Sequence, residues 1–229
     1  MRHIDQLDIF KSISNLLDTD SKDIYIVGGF IRDSLLDEPS NDVDMVVKQD
    51  PIVLGNKLAQ ITGGHSYNLS LDHHVTRVEI PENDRTFRID LTQIAGNVED
   101  NLCTRDFTIN SMAVPLNRFT PNQWKDNIID PLNGMSDLLN KTLRCSNSDV
   151  FLQDGLRLLR GVRIAAKLKF RLDPYTATLM KSHSHNIERV SPERVRDEFL
   201  TILSTHSAHS QLAILDRLDI LCRIIPELS

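Results

Sequence analysis

Residues 28–47 read GGFIRDSLLDEPSNDVDMVV, and this stretch decides how the first part of the chain is built. A short β-prone run, residues 24–27 (IYIV), leads into the two glycines, and helical spacing follows over residues 30–36. Gly28 and Gly29 permit a sharp exit from the strand and let a ligand come close to the backbone. A strand, a glycine turn and a helix start leave N–H groups pointing outward, which suits an anion. Arg32 adds a forked cation matched to phosphate.

The second half of the stretch, DVDMVV, reads as a strand. Side chains alternate along it, so Asp42 and Asp44 share one face. Two carboxylates that close repel each other unless a cation sits between them. Such oxygen ligands suit Mg²⁺, which keeps waters and also takes phosphate oxygens. A third acid is offered downstream by residues 85–91, RTFRIDL, where Phe87, Ile89 and Leu91 alternate on one face and Arg88 and Asp90 on the other. If this strand neighbours the first, Asp90 joins Asp42 and Asp44. Three acids around one or two metals would activate a hydroxyl and steady a leaving pyrophosphate; the plain alternative is a surface strand face.

Composition sets the frame. A chain of 229 residues with 40% hydrophobic and 25% charged residues is ordinary for a soluble protein and commonly makes one or two domains. No run approaches membrane-spanning length, and the start, MRHIDQLDIF, does not read as a signal peptide. Three widely spaced cysteines, Cys103, Cys145 and Cys222, suggest reduced thiols in a cytoplasm rather than a disulfide frame or a zinc site. The net charge is −6, but residues 141–171 hold eight Lys or Arg against two Asp or Glu, a basic band that can guide a phosphate chain or line a nucleotide pocket. No sequence-reading DNA module is recognisable.

Residues 104–113, TRDFTINSMA, resemble the RRDFTINAMA motif of the tRNA CCA-adding enzyme and bacterial poly(A) polymerase family, the class II branch of the polymerase-β-like nucleotidyltransferases. Residues 28–44 are similar to that family's GG-x-x-R-D…D-x-D signature, and residues 154–163, DGLRLLRGVR, to its base-reading helix. The motifs come in the family's order and cover nearly the whole chain. The resemblance implies an α+β fold: a nucleotidyltransferase head over residues 1–140, a small mixed sheet with flanking helices, then an all-α neck over residues 141–229. It implies roles as well. Asp42, Asp44 and Asp90 would be catalytic, the first two holding Mg²⁺. Gly28, Gly29, Arg32 and Arg105 would contact the incoming nucleotide, with Asp106 and Asn110 bracing the sugar and the site. Asp154, Arg157, Arg160 and Arg163 would bind ATP and CTP.

The activity so implied is addition of C and/or A to tRNA 3′ ends: CCA addition, or CC or A addition alone. The alternatives are a poly(A) polymerase acting on generic RNA and a non-catalytic nucleotide- or RNA-binding module. Two positions depart from the family pattern, Thr104 in place of an Arg and Gln153 in place of a Glu. The short connection between Asp90 and Arg105 resembles members that add only part of the CCA end. The family's body and tail domains have no counterpart here, which points to a fragment or to a separate RNA-binding partner.

Base reading can also be argued from chemistry. Asp154 and Arg157 are three apart, which predicts neighbours on a helix surface. An Asp accepts from an exocyclic amino group and an Arg donates to a ring nitrogen, the pattern that cytosine and adenine share. Uracil and guanine present a carbonyl and a ring N–H instead. Arg157, Arg160 and Arg163 wind slowly around the axis, and Arg163 comes near an apolar arc where a cation needs a carboxylate or a phosphate.

The remaining text predicts an opening helix (Ile4, Leu7, Phe10, Ile13, Leu17), a helix from Asp50-Pro51 to Gly63-Gly64, and strands near residues 65–71, 75–80 and 86–91, with a turn at residues 81–84. Further helices start at Asp173-Pro174 and Ser191-Pro192. Val195, Phe199 and Ile202, and then Leu212, Leu215 and Leu218, form core stripes. The histidine pairs, His73-His74 and His183 with His185, read as turn and helix-end residues.

Overall fold

Alternating side chains build a six-stranded sheet: β1 (Ile24–Val27), β2 (Asp42–Val47), β3 (His65–Ser70), β4 (Val75–Glu82), β5 (Arg85–Gln93) and β6 (Ala113–Pro115), in the order β3-β4-β5-β2-β1-β6. The computed structural model describes residues 10, 13–14, 23–70, 74–82, 85–120 and 123–228. Ile4, Leu7 and Leu17 of the predicted opening helix, His73, and the centre of the 81–84 turn lie outside the described residues; Phe10 and Ile13 are helical and buried.

Neighbouring strands run antiparallel except β2 and β5, which are parallel. The register of that parallel pair matters most, because it sets Asp42 beside Arg88 and Asp44 beside Asp90. The odd-numbered face of β2 and β5 carries Val43, Met45, Phe87, Ile89 and Leu91, all buried. Phe10 stacks edge-on against Phe30, Phe87 and Phe119. The other face starts exposed at Asp42 and Asp44 and becomes buried at Val46, which clusters with Val27, Ile94, Val98 and Leu102. One end of the strand therefore anchors in core while its first two acids stay in water.

The helix Pro51–Thr62 ends as its sequence predicts. Asp50 accepts a hydrogen bond from Ile52 N at 2.8 Å, and Gly63 closes the helix in the left-handed region at φ 69°.

The chain divides into two compact units: residues 1–103 with 110–131, and residues 104–109 with 132–229. The expected cut after residue 140 thus falls earlier, and a six-residue piece of the first half joins the second. The reason lies in the contacts of that piece. Phe107 bridges to Cys145, Thr108 N donates to Arg144 O at 2.9 Å, and Thr108 Oγ1 donates to Asp137 Oδ2 at 2.8 Å on the helix Gly134–Leu139.

The second unit is helical apart from a small parallel pair, β7 (Thr142–Leu143) with β8 (Arg171–Leu172). Its principal helices are Arg157–Leu168, Pro174–Ser182, Pro192–Leu203 and Ala208–Arg217. The predicted stripes reach its core through Ile202, Leu215 and Leu218, alongside Phe107, Phe151, Leu158 and Val162. Asp173 caps its helix by accepting from Thr176 N at 3.2 Å. Among the described residues no helix is long and apolar enough to cross a membrane, and the three cysteines form no disulfide with one another.

Candidate active site

Gly28 ends β1 with φ 77° and ψ −138°, a conformation that costs any other residue a Cβ clash. Its N–H donates to Met112 O at 3.1 Å. The helix that follows, Gly29–Leu35, is only two turns long, and it buries Arg32. Arg32 Nε donates to Asp33 Oδ1 at 2.8 Å, and Nη1 donates to Asn110 Oδ1 at 2.6 Å. A side chain at Gly29 would meet that guanidinium at 3.4 Å. The structure therefore brings Gly29, Arg32 and Asn110 together. It also gives Arg32 a buried partner, Asp33, that the motif displays but that the sequence reading did not single out.

Val27 pairs with Asp44, so the Gly28 turn sits at the same end of the sheet as the two acids. Asp42 and Asp44 are both exposed on one face of β2. Asp42 is loosely paired to Arg88, 3.4 Å away with both groups in solvent, a contact worth little. Asp90 stands beside Asp44 as anticipated, yet its carboxylate is gripped bidentately by Arg77 on β4, at 2.7 Å to each oxygen. The hydrogen bond to Asp90 is also the main cause that raises the Arg77 pKa above the usual guanidinium range.

The donor set at Asp42 and Asp44, exposed hard oxygens on one face, fits a divalent cation. Among the described residues no group of three or more His, Cys, Asp or Glu forms a metal cluster. A divalent cation here would be held by the Asp42 and Asp44 carboxylates.

The remaining candidates lie in the helical unit. Asp106 is buried; Oδ1 accepts from its neighbour Phe107 N at 2.8 Å, and Oδ2 is paired with Arg160 Nη2 at 3.0 Å. The Arg105 carbonyl accepts from Ser146 Oγ. Asp106 and Asn110, expected to brace the sugar, each brace an arginine in this structure.

One expectation is corrected. Asp154 does not share a helix with Arg157. It ends the short helix Val150–Gln153 in an extended conformation, φ −151° and ψ 110°, and the next helix begins at Arg157. The Asp154 side chain makes the break itself, since Oδ1 accepts from Leu156 N at 3.0 Å. Gly155 then packs against the backbone of Asn186 so closely that a methyl group would overlap the Asn186 carbonyl. Gly155→Ala is accordingly expected to destabilise by about 1–3 kcal/mol, read as a fall of several degrees in melting temperature; an unchanged melting temperature would mean that the segment has room to shift.

The two residues also take different partners. Asp154 Oδ2 is paired with Arg194 Nη2 at 2.8 Å. Arg157 Nη1 donates to Gln153 Oε1 at 3.0 Å and to Val150 O at 3.3 Å, while Nη2 donates to Thr104 O at 3.3 Å. Arg163, the cation that needed a partner, has the carboxylate Glu198. Sequence reasoning missed Arg194 and Glu198, although they are four apart on the helix that Ser191-Pro192 announces.

Residues 24–144 match the family described as Poly A polymerase head domain. The chain belongs to the CCA-adding enzyme and poly A polymerase family. Residues 169–229 match a second family, described as a probable RNA and SrmB-binding site of polymerase A. The CC-adding tRNA nucleotidyltransferase of Geobacter sulfurreducens is 34% identical over 179 residues, which cover 78% of this chain and 40% of that protein. The A-adding tRNA nucleotidyltransferase of Halalkalibacterium halodurans is 30% identical over 215 residues, 85% of this chain and 48% of that one. A solved complex of a CCA-adding enzyme with ATP is 26% identical with a TM-score of 0.84, and the match covers 97% of this chain and 54% of that chain. The chain thus spans about half the length of the curated relatives it matches. Within the family pattern both departures meet at one side chain: the Thr104 carbonyl and the Gln153 amide oxygen each accept from Arg157. Gln at 153 therefore keeps an acceptor for Arg157, and at 104 the backbone provides one.

Proposed function

We propose that this chain is a template-independent RNA nucleotidyltransferase that adds C and/or A to the 3′ end of tRNA, with Mg²⁺ and release of pyrophosphate. The observation that carries the reading is the acidic face of β2. Asp42 and Asp44 stand exposed at the end of the sheet where Gly28 turns the chain, with Asp90 in register beside Asp44. The CC-adding and A-adding names of the relatives support the same chemistry.

Asp42 and Asp44 would hold the metal. When bound, Mg²⁺ supplies the positive charge that favours an ionised 3′-hydroxyl and stabilises the departing pyrophosphate. Asp90, gripped by the Arg77 fork from β4 and in register beside Asp44, would be the third acid of the site. Gly28 and Gly29 would leave room for the nucleotide at that turn, and Arg32, fixed by Asp33 and Asn110, would supply its cation. Arg105 takes triphosphate. Asp154 accepts from the exocyclic amino group of C or A, and Arg157 donates to the ring nitrogen. Arg160 and Arg163 are held in place by Asp106 and Glu198.

Incubation of the full chain with tRNA lacking its end, Mg²⁺ and each labelled nucleoside triphosphate tests this. Incorporation of C, A or both is expected, and sequencing the ends made with CTP and ATP together tells CC, A and CCA addition apart. Long A tails on generic RNA would make it a poly(A) polymerase. Nucleotide binding with no incorporation, tRNA being in excess, would reduce it to a binding module.

A further inference from the structure

One row of side chains runs across the polar face of the sheet. The registers set Tyr67 on β3 beside Arg77 on β4, Arg77 beside Asp90 on β5, and Asp90 beside Asp44 on β2. Asp90 therefore stands with a cation on one side and a carboxylate on the other. It leans to the cation: Arg77 Nε and Nη2 donate to its two oxygens, each at 2.7 Å. The two side chains are 28% and 24% exposed, so the pair is screened less than one in open solvent. The adjacent row is looser. There Arg88 lies between Glu79 and Asp42, 3.4 Å from each.

The strand register thus brings three acids to one place, but the side chains have not closed on a common point. Among the described residues no three acids, histidines or cysteines form a group that could hold a metal ion. Without a cation, turning Asp90 toward Asp44 would set two carboxylates together and give up a bidentate, charge-assisted pair. A divalent ion at Asp42 and Asp44 removes the repulsion and adds an attraction, so only the grip of Arg77 then opposes the turn. We infer that Arg77 is a latch on Asp90: it holds the third acid out of the metal site in the nucleotide-free protein and yields it to a bound ion. Arg77 acts through Asp90 and is a positioning residue. The latch rests on the metal assignment to Asp42 and Asp44 proposed above, and its consequence is that the ion itself completes the site.

The test is binding of Mn²⁺ alone to the full chain, with neither nucleotide nor RNA, read from the free-ion signal in electron paramagnetic resonance. Arg77→Gln releases Asp90 and is expected to tighten the Kd for Mn²⁺ by about tenfold, the scale of one charge-assisted contact. Arg77→Lys keeps the charge but loses the fork. It should tighten Kd in the same direction by less, and it carries the test if the glutamine variant does not fold. In an Asp90→Asn background, Arg77→Gln should leave Kd unchanged. Equal tightening in that background would overturn the latch, because the charge of Arg77 alone would then explain the effect. Weaker Mn²⁺ binding in the Arg77 variants would also overturn it, since Arg77 would then orient Asp90 as a standing ligand. Asp42→Ala tells the two readings apart. If it binds Mn²⁺ as the wild type does, the metal assignment fails and takes the latch with it. If it loses the ion while both Arg77 variants bind as the wild type does, the latch alone fails.

Discussion

Asp42→Ala should abolish nucleotide incorporation while leaving the protein folded. The two parts of that result have separate physical causes. If Asp42 and Asp44 hold the metal as proposed, withdrawing one of the two carboxylates removes several kcal/mol of transition-state charge stabilisation, and about 4 kcal/mol corresponds to roughly 10³-fold in rate. Stability is insulated from the change. The Asp42 side chain is 71% exposed, and its pairing with Arg88 at 3.4 Å lies in solvent. Surface changes of this kind stay within about 0.5 kcal/mol. Asp44→Ala should behave alike. Asp90→Ala should differ, because it strands Arg77, which is only 28% exposed and loses a bidentate partner; it should lower the melting temperature as well as the rate. Single-turnover incorporation and thermal melts on the three variants separate these outcomes. Activity retained by Asp42→Ala at wild-type level would remove the metal assignment altogether.

The difference between Asp42 and Asp90 shows what the sequence could and could not convey. Period-two alternation put Asp42 and Asp44 on one face without any tertiary information, because a strand's two faces follow from its own backbone. The same rule put Asp90 opposite Phe87, Ile89 and Leu91. Its neighbour Asp44 and its partner Arg77 depended on which strands pair and in what register, which is decided by packing across the whole sheet. Helix starts at Asp50, Asp173 and Ser191 were legible for the same local reason, a capping residue followed by proline. The reading of Asp154 and Arg157 as helical neighbours failed where a local rule met a tertiary contact. Spacing alone says i and i+3. The chain breaks there because Asp154 caps Leu156 N and because Gly155 lies flush on Asn186, 31 residues downstream. The unit boundary was hidden likewise, since residues 104–109 join the helical unit through Cys145, Arg144 and Asp137.

That broken helix sharpens the second expectation, the loss of base selection on removing Asp154 or Arg157. A single continuous helix would have let the two side chains neutralise each other as an i,i+3 pair. In the observed geometry each is oriented separately. Leu156 N and Arg194 fix the carboxylate, and the acceptors at 150, 153 and 104 fix the guanidinium. Each carboxylate oxygen has a second lone pair, so Asp154 can accept from a base amino group without releasing Arg194. A mismatched base leaves one group unmatched at each position, at about 1–3 kcal/mol apiece. Two together give discrimination on the order of a hundredfold or more. Asp154→Ala and Arg157→Ala should each cut the preference for C and A over U and G by about tenfold, and the double variant should nearly erase it. Arg194→Met should give a partial loss through Asp154, restored by Arg194→Lys if the role is to hold the carboxylate in place. The measurement is incorporation of each nucleotide in competition on one tRNA. Preference unchanged in the double variant would mean that the base is chosen elsewhere, by the RNA end or by residues outside this segment.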